Sequence, residues 1–107
     1  CVACHPFRNN NRGLEEKLLT VKGLGGVEVL NGSTDPAANK KAFDYCKKIN
    51  AQIIGVSDAH IEENIGKYVT YIDGDIKTLE EFVEALKSRK TKVAIWNKDH
   101  YAIIDKL

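Results

Sequence analysis

Methionine is absent from this 107-residue chain, tryptophan occurs once, proline twice and cysteine three times. Lacking methionine, it opens directly on Cys1-Val2-Ala3-Cys4-His5-Pro6-Phe7-Arg8, with no leading turn or capping residue. Three cysteines, Cys1, Cys4 and Cys46, are an odd number at spacings that build no disulfide framework. Reduced thiols and a cytoplasmic location are therefore expected. No apolar run approaches the ~20 residues of a membrane span. No basic segment leads into an apolar one as in a secretion signal. Charge of one sign is also lacking: 16 basic residues face 15 acidic ones, for a net charge of +1. A chain so balanced exerts no broad pull on nucleic acid or an anionic membrane.

What remains is ordinary for a folded domain, with 43% hydrophobic and 29% charged residues. The length fits one domain. Val2-Ala3-Cys4 reads as the end of a short buried strand, in which cysteine acts as a small apolar residue. Cys1, Cys4 and His5 also have the look of a zinc cluster, but no second pair of ligands completes it. Leu14, Leu18 and Val21 have helical spacing. Val27-Glu28-Val29-Leu30, bounded by glycines, predicts a strand. Asp35-Pro36 predicts a helix start, followed by an apolar face of Ala38, Ala42, Tyr45, Cys46 and Ile49. Further strands are predicted at Ile53–Val56 and Tyr68–Ile72, and a last β-rich stretch, Val93–Trp96, is followed by Tyr101–Ile104. Thr78-Leu79-Glu80-Glu81 has the form of a capping box ahead of a stripe of Leu79, Phe82, Val83 and Leu86.

Strands alternating with helices argue for an α/β fold with mostly parallel strands. Ligands of such folds bind beyond the carboxyl ends of the strands. His5 and Arg8 follow the first strand, Asn31 closes the second, and Asp58 and His60 follow the third. Asp and His two apart on an extended chain share a face, where both can ligate a metal. Pro6 is expected to hold His5 extended. Arg8 offers a fork of donors suited to phosphate oxygens. Glu28, flanked by valines, is expected to be buried. A buried carboxylate needs a metal, an arginine or other donors beside it, whether its role is at the site or structural. His100 reads as a turn residue without a catalytic part, and Cys46 as core.

His5-Pro6-Phe7-Arg8, then Gly26-Val27-Glu28-Val29-Leu30-Asn31, then Gly55-Val56-Ser57-Asp58-Ala59-His60 together resemble the PHP (polymerase and histidinol phosphatase) family. Ile65-Gly66, Thr70 and the segment TLEEFVEALKSRK look like the closing part of that family. The resemblance implies a distorted seven-stranded, TIM-like β/α barrel with manganese, zinc or iron at the carboxyl ends of its strands. It implies phosphoester hydrolysis by metal-activated water, acting on a small phosphorylated substrate. By motif, His5, Asp58 and His60 match metal ligands, Arg8 a phosphate-binding position and Glu28 a recurrent acidic position. Members begin with a His-x-His strand end that this chain lacks. Residues 1–107 are therefore expected to be the C-terminal segment of a PHP domain. An N-terminal half of about a hundred residues would precede it, and the segment alone would turn over little. Open strand edges and exposed barrel-interior residues would then favour self-association. The alternative is a non-catalytic PHP-associated module with a structural role, for example beside a DNA polymerase.

Overall fold

Gly26–Asn31 forms strand β2, and all six of its residues are buried. It lies between β1 (Val2–Ala3) and β3 (Gln52–Val56) in a three-stranded sheet. Both pairings are parallel, with Val2 opposite Gly26 and Val27 opposite Ile53, as the alternation of strand and helix predicts. The computed structural model describes residues 1–88 and 90–107; Arg89, part of the TLEEFVEALKSRK segment, lies outside them.

Helix α1 (Pro36–Ile49) makes the β2–β3 crossover. The Asp35 side chain accepts the Ala38 N–H at 3.0 Å, and Pro36 occupies the first turn, where its missing donor costs nothing. Asn50 ends the helix in the left-handed conformation at φ 53°. Ala42 and Cys46 of α1 join Leu18, Val27 and Val29 in one core, each at most 1% exposed. Burying side chains of the size of Val27, Val29 and Leu18 contributes about 1.5–3 kcal/mol apiece. The segment before β2 is a short 3-10 helix, Glu15–Leu19, narrower than the helix expected from Leu14 to Val21. Only Leu18 of it is buried, and Val21 is exposed. Cys1 and Cys4 are exposed rather than buried in β1, whose two residues are too few to enclose them.

The second half departs from the expected parallel order. Strands β4 (Tyr68–Tyr71), β5 (Lys92–Asn97) and β6 (His100–Ile104) form a separate antiparallel sheet. Lys98 and Asp99 join β5 to β6, and a two-residue hairpin reverses the chain, which excludes a parallel pair. His100 opens β6 opposite Asn97 rather than lying in the turn. The described residues therefore form two open three-stranded sheets, not a closed seven-stranded barrel.

Hydroxyl groups bridge the two sheets. Thr70 Oγ1 accepts the Gly55 N–H and donates to Gly55 O, both at 2.9 Å. Ser57 Oγ donates to Tyr68 O at 3.0 Å and accepts the Tyr68 N–H at 3.2 Å. Two side chains thus supply bonds that a continuous ladder would supply between β3 and β4.

Helix α2 (Leu79–Ser88) begins as expected, with Thr78 Oγ1 accepting the Glu81 N–H at 3.1 Å. Glu81 returns its carboxylate to the N–H of Lys77 at 2.8 Å, one residue earlier than in a closed capping box. The apolar stripe is not core: Leu79 is 72% exposed, Phe82 42% and Val83 40%, and only Ala85 of α2 is buried. Helical spacing specifies which residues share a face, not whether anything covers it.

Candidate functional site at the strand ends

The parallel sheet brings the segments after β1, β2 and β3 to one rim. A β-bulge shapes its floor. The pairing steps from Glu28–Ile54 to Leu30–Gly55, which leaves Val29 as an extra residue in β2. On a regular strand, residues 28 and 31 point to opposite faces. The bulge adds one residue and returns them to the same side. Asn31 Nδ2 then donates to Glu28 Oε2 at 3.0 Å.

Glu28 is 9% exposed and Asn31 1%, so both need partners. Glu28 Oε2 also accepts the His5 N–H at 2.8 Å. Asn31 Nδ2 reaches Asp58 Oδ2 at 3.1 Å as well, so one amide bridges two carboxylates. Asn31 Oδ1 accepts from Arg8 Nη2 at 2.9 Å, the Ser33 N–H at 2.9 Å and Thr34 Oγ1 at 3.1 Å. Arg8 Nη2 forms an ion pair with Asp58, and Arg8 Nε donates to Thr34 Oγ1 at 3.0 Å. Burial acts to raise the Asp58 pKa, but the Arg8 and Asn31 hydrogen bonds and the nearby positive charge outweigh it. The carboxyl group is held below its ordinary value.

Behind this rim, Asn39 of α1 grips the Asn31 main chain. Its Oδ1 accepts the Asn31 N–H and its Nδ2 donates to Asn31 O, each at 3.1 Å. At the mouth of the β2–β3 pair, Gly32 leaves no room for a side chain, since a Cβ there would lie 2.4 Å from Ser57 O. A cleft of about 250 Å³ opens beside the rim between Asn31, Thr34, Asn39, Lys40 and Tyr68.

His5, Arg8, Glu28 and Asp58 are joined through this hydrogen-bonded network, with His60 at its edge. The backbone differs from the extended conformation expected at two of them: His5 has φ 24° and Asp58 φ 46°. The tight turn that returns the Arg8 N–H to His5 O at 3.1 Å prevails over the extended bias before Pro6. At Asp58 the positive φ ends the alternation of faces, so Asp58 and His60 do not project side by side. The Asp58 carboxylate meets Arg8 and Asn31. His60 Nδ1 lies 2.9 Å from Asp58 O and 3.2 Å from Ser33 Oγ. A carbonyl oxygen only accepts, so Nδ1 carries a hydrogen, and in the neutral ring Nε2 keeps a lone pair. Metal-ligating histidines are commonly oriented in this way.

The donors fit a metal in part. His5 Nδ1 is buried without a hydrogen-bond partner, as a ligand nitrogen would be, and the His60 tautomer is suitable. Asp58 is committed through Oδ2 to Arg8 and Asn31. Among the described residues, no three of His, Cys, Asp and Glu are grouped to hold a metal ion. The Cys1-Cys4-His5 cluster is likewise not formed. Burial, together with the charge and hydrogen bond of Glu28 and the charge of Asp58, raises the Cys4 thiol and disfavours the thiolate that zinc needs.

Asn39, Ser33 and Thr34 escape a reading that looks for charged residues, and Asn31 stands in it only as a strand end. The available signal was the polar run Asn31-Gly32-Ser33-Thr34 between a buried strand and a helix cap.

The profile of the PHP-associated family matches residues 36–91, just over half of the chain, from the start of α1 to the residue before β5. The chain belongs to this family. No curated protein and no solved structure matches it significantly. No helix of the described residues is long and apolar enough to cross a membrane.

Proposed function

We propose that this rim is the C-terminal part of a metal-dependent phosphoesterase site of the PHP type. The observation that carries this reading is the convergence of His5, Arg8, Asp58 and His60 at one end of the parallel sheet, with His5 Nδ1 buried and unpaired. His5 and His60 would hold a manganese, zinc or iron ion, joined by Asp58 once it leaves Arg8. Such an ion supplies Lewis-acid polarisation of a phosphoryl oxygen and lowers the pKa of water. Arg8 would bind and orient the phosphoryl oxygens through its planar fork. Asn31 and Glu28 would hold Arg8 and the His5 main chain in position. The cleft beside Asn31 and Thr34 has room for the esterified group. The remaining ligands, including the family's His-x-His pair, would come from residues outside this chain.

The test is hydrolysis of p-nitrophenyl phosphate and its diester by the natural protein with added Mn²⁺. Loss of a ligand should cost at least the 10–100-fold typical of second-shell changes, so His60→Ala is expected to lower turnover by at least about a hundredfold. Equal activity in His60→Ala and wild type would refute the role.

One observation favours a second reading, a non-catalytic PHP-associated module with a structural part. The Arg8–Asp58 pair and the Asn31 amide tie the rim together from within. That reading expects no hydrolysis, and a fold equally stable with and without divalent metal.

A further inference from the structure

The edges of the two sheets are not protected alike. The facing edges of β3 and β4 are tied by Ser57 and Thr70. The β1 edge is only two residues long. Strand β6 is the outer strand of the antiparallel sheet and runs for five residues, His100–Ile104. Open edges are ordinarily blunted by lysine, proline, a bulge or a very short strand. None of these is found in β6. Its pairing with β5 runs from Val93–Ile104 to Asn97–His100 without a shift, and Tyr101-Ala102-Ile103-Ile104 contains neither charge nor proline. We infer that β6 is a self-association edge, at which two copies of this chain pair β6 to β6 in antiparallel fashion and join their three-stranded sheets into one. The inference stands apart from the rim and from the proposed hydrolysis.

The register follows from which main-chain groups are free. The Trp96 N–H donates to Lys67 O at 2.8 Å, so Trp96 turns its main chain toward β4. Main-chain groups alternate between the two neighbours along a strand, so Ile95 and Asn97 turn theirs to β6. Their partners there, Ala102 and His100, are thus bonded to β5, and Tyr101 and Ile103 present their N–H and C=O groups at the open edge. Two-fold pairing centred on Ala102 sets Tyr101 opposite Ile103 of the partner subunit, and each such pair exchanges both N–H···O=C bonds. The same side chains lie on the outer face of the sheet, Tyr101 47% and Ile103 39% exposed. An aromatic ring facing a β-branched residue is a favourable cross-strand pair. The Tyr101 ring is already held, by an edge contact with Trp96 at 4.9 Å and by its hydroxyl donating to Gly66 O at 2.8 Å, so little side-chain freedom is lost on pairing. A register two residues further along would set Tyr101 against Asp105, and a slip of one would turn the apolar face over. Lys98, Asp99, Asp105 and Lys106 flank the strand with both signs of charge in balance, so no net charge opposes a second copy.

Sedimentation equilibrium of the natural protein between about 1 µM and about 1 mM covers the affinities of marginal contacts. Wild type is expected to pass from monomer to dimer in that range. Ile103→Lys puts on the strand the charge that open edges ordinarily carry, and is expected to raise the dissociation constant at least about tenfold. Ala102→Cys is a second probe that leaves the edge apolar. In the inferred register its two copies form a non-hydrogen-bonded pair, about 4.5 Å apart at Cα and within disulfide reach. Mild oxidation is expected to join them, with the cross-linked peptide identified by mass spectrometry. A wild type that stays monomeric throughout would overturn the inference. So would a dimer that Ile103→Lys leaves equally tight, or one in which Ala102→Cys yields no such disulfide, since the contact would then lie on another surface or in another register.

Discussion

Asn39 holds Asn31 by both of its main-chain groups, accepting its N–H and donating to its carbonyl, each at 3.1 Å. This clamp joins the first turns of α1 to the end of β2. It fixes the residue whose amide bridges Glu28, Arg8 and Asp58. Asn39→Ala would remove the partner of the buried Asn31 N–H, at about 1–3 kcal/mol, while the Asn31 carbonyl keeps the Thr34 N–H at 3.2 Å. The expected result is a lower urea midpoint at unchanged slope. An unchanged midpoint would mean that the clamp adds nothing to stability.

Thr70 and Ser57 join the two sheets through their hydroxyls. Thr70→Val keeps the side-chain volume but removes the partner of both Gly55 main-chain groups, which are buried. We expect a loss of about 1–3 kcal/mol and faster hydrogen exchange at the Gly55 amide. Unaltered exchange there would count against the bridge.

The three thiols should divide two to one. Cys1 and Cys4 are exposed, whereas Cys46 is fully buried and burial pushes its pKa up to about 11. At pH 8 a water-soluble disulfide reagent should label Cys1 first, Cys4 more slowly because its thiolate is disfavoured, and Cys46 only after denaturation. Labelling of all three at similar rates would show that the α1 core opens readily.

The Asp58 pKa is lowered in the folded state, with Arg8 and Asn31 prevailing over burial. A depressed carboxyl pKa contributes stability that is present above the unfolded value of about 3.9. It is lost as pH falls through the folded value. Wild type should therefore exceed Asp58→Asn in stability at pH 7, and the gap should close below about pH 4. A gap that does not change with pH would contradict the ion pair. High salt should also narrow it, because the pair is partly exposed.

Much of the first half was legible in the sequence. Asp35-Pro36 marked the start of α1, the valines of β2 marked a buried strand, and both parallel pairings followed from strand–helix alternation. The rim was legible through that topology, because polar residues follow three strands in turn. Strand direction after β4 was not, since a pattern of strand, helix and strand is the same for a parallel crossover and an antiparallel return. The bulge at Val29 was equally hidden, because a period-two pattern carries no mark for an inserted residue. Without it, Glu28 and Asn31 point apart and the network has no centre. The exposed stripe of α2 was readable as a stripe, but its exposure depends on neighbours that spacing does not encode.

The most direct test of the central claim is the metal content of the natural protein, purified without chelator, for wild type, His5→Ala and His60→Ala. The account predicts stoichiometric manganese, zinc or iron in the wild type and a marked loss in both variants, with the fold retained. Wild-type protein free of metal, or variants that keep all of it, would contradict the assignment of this rim.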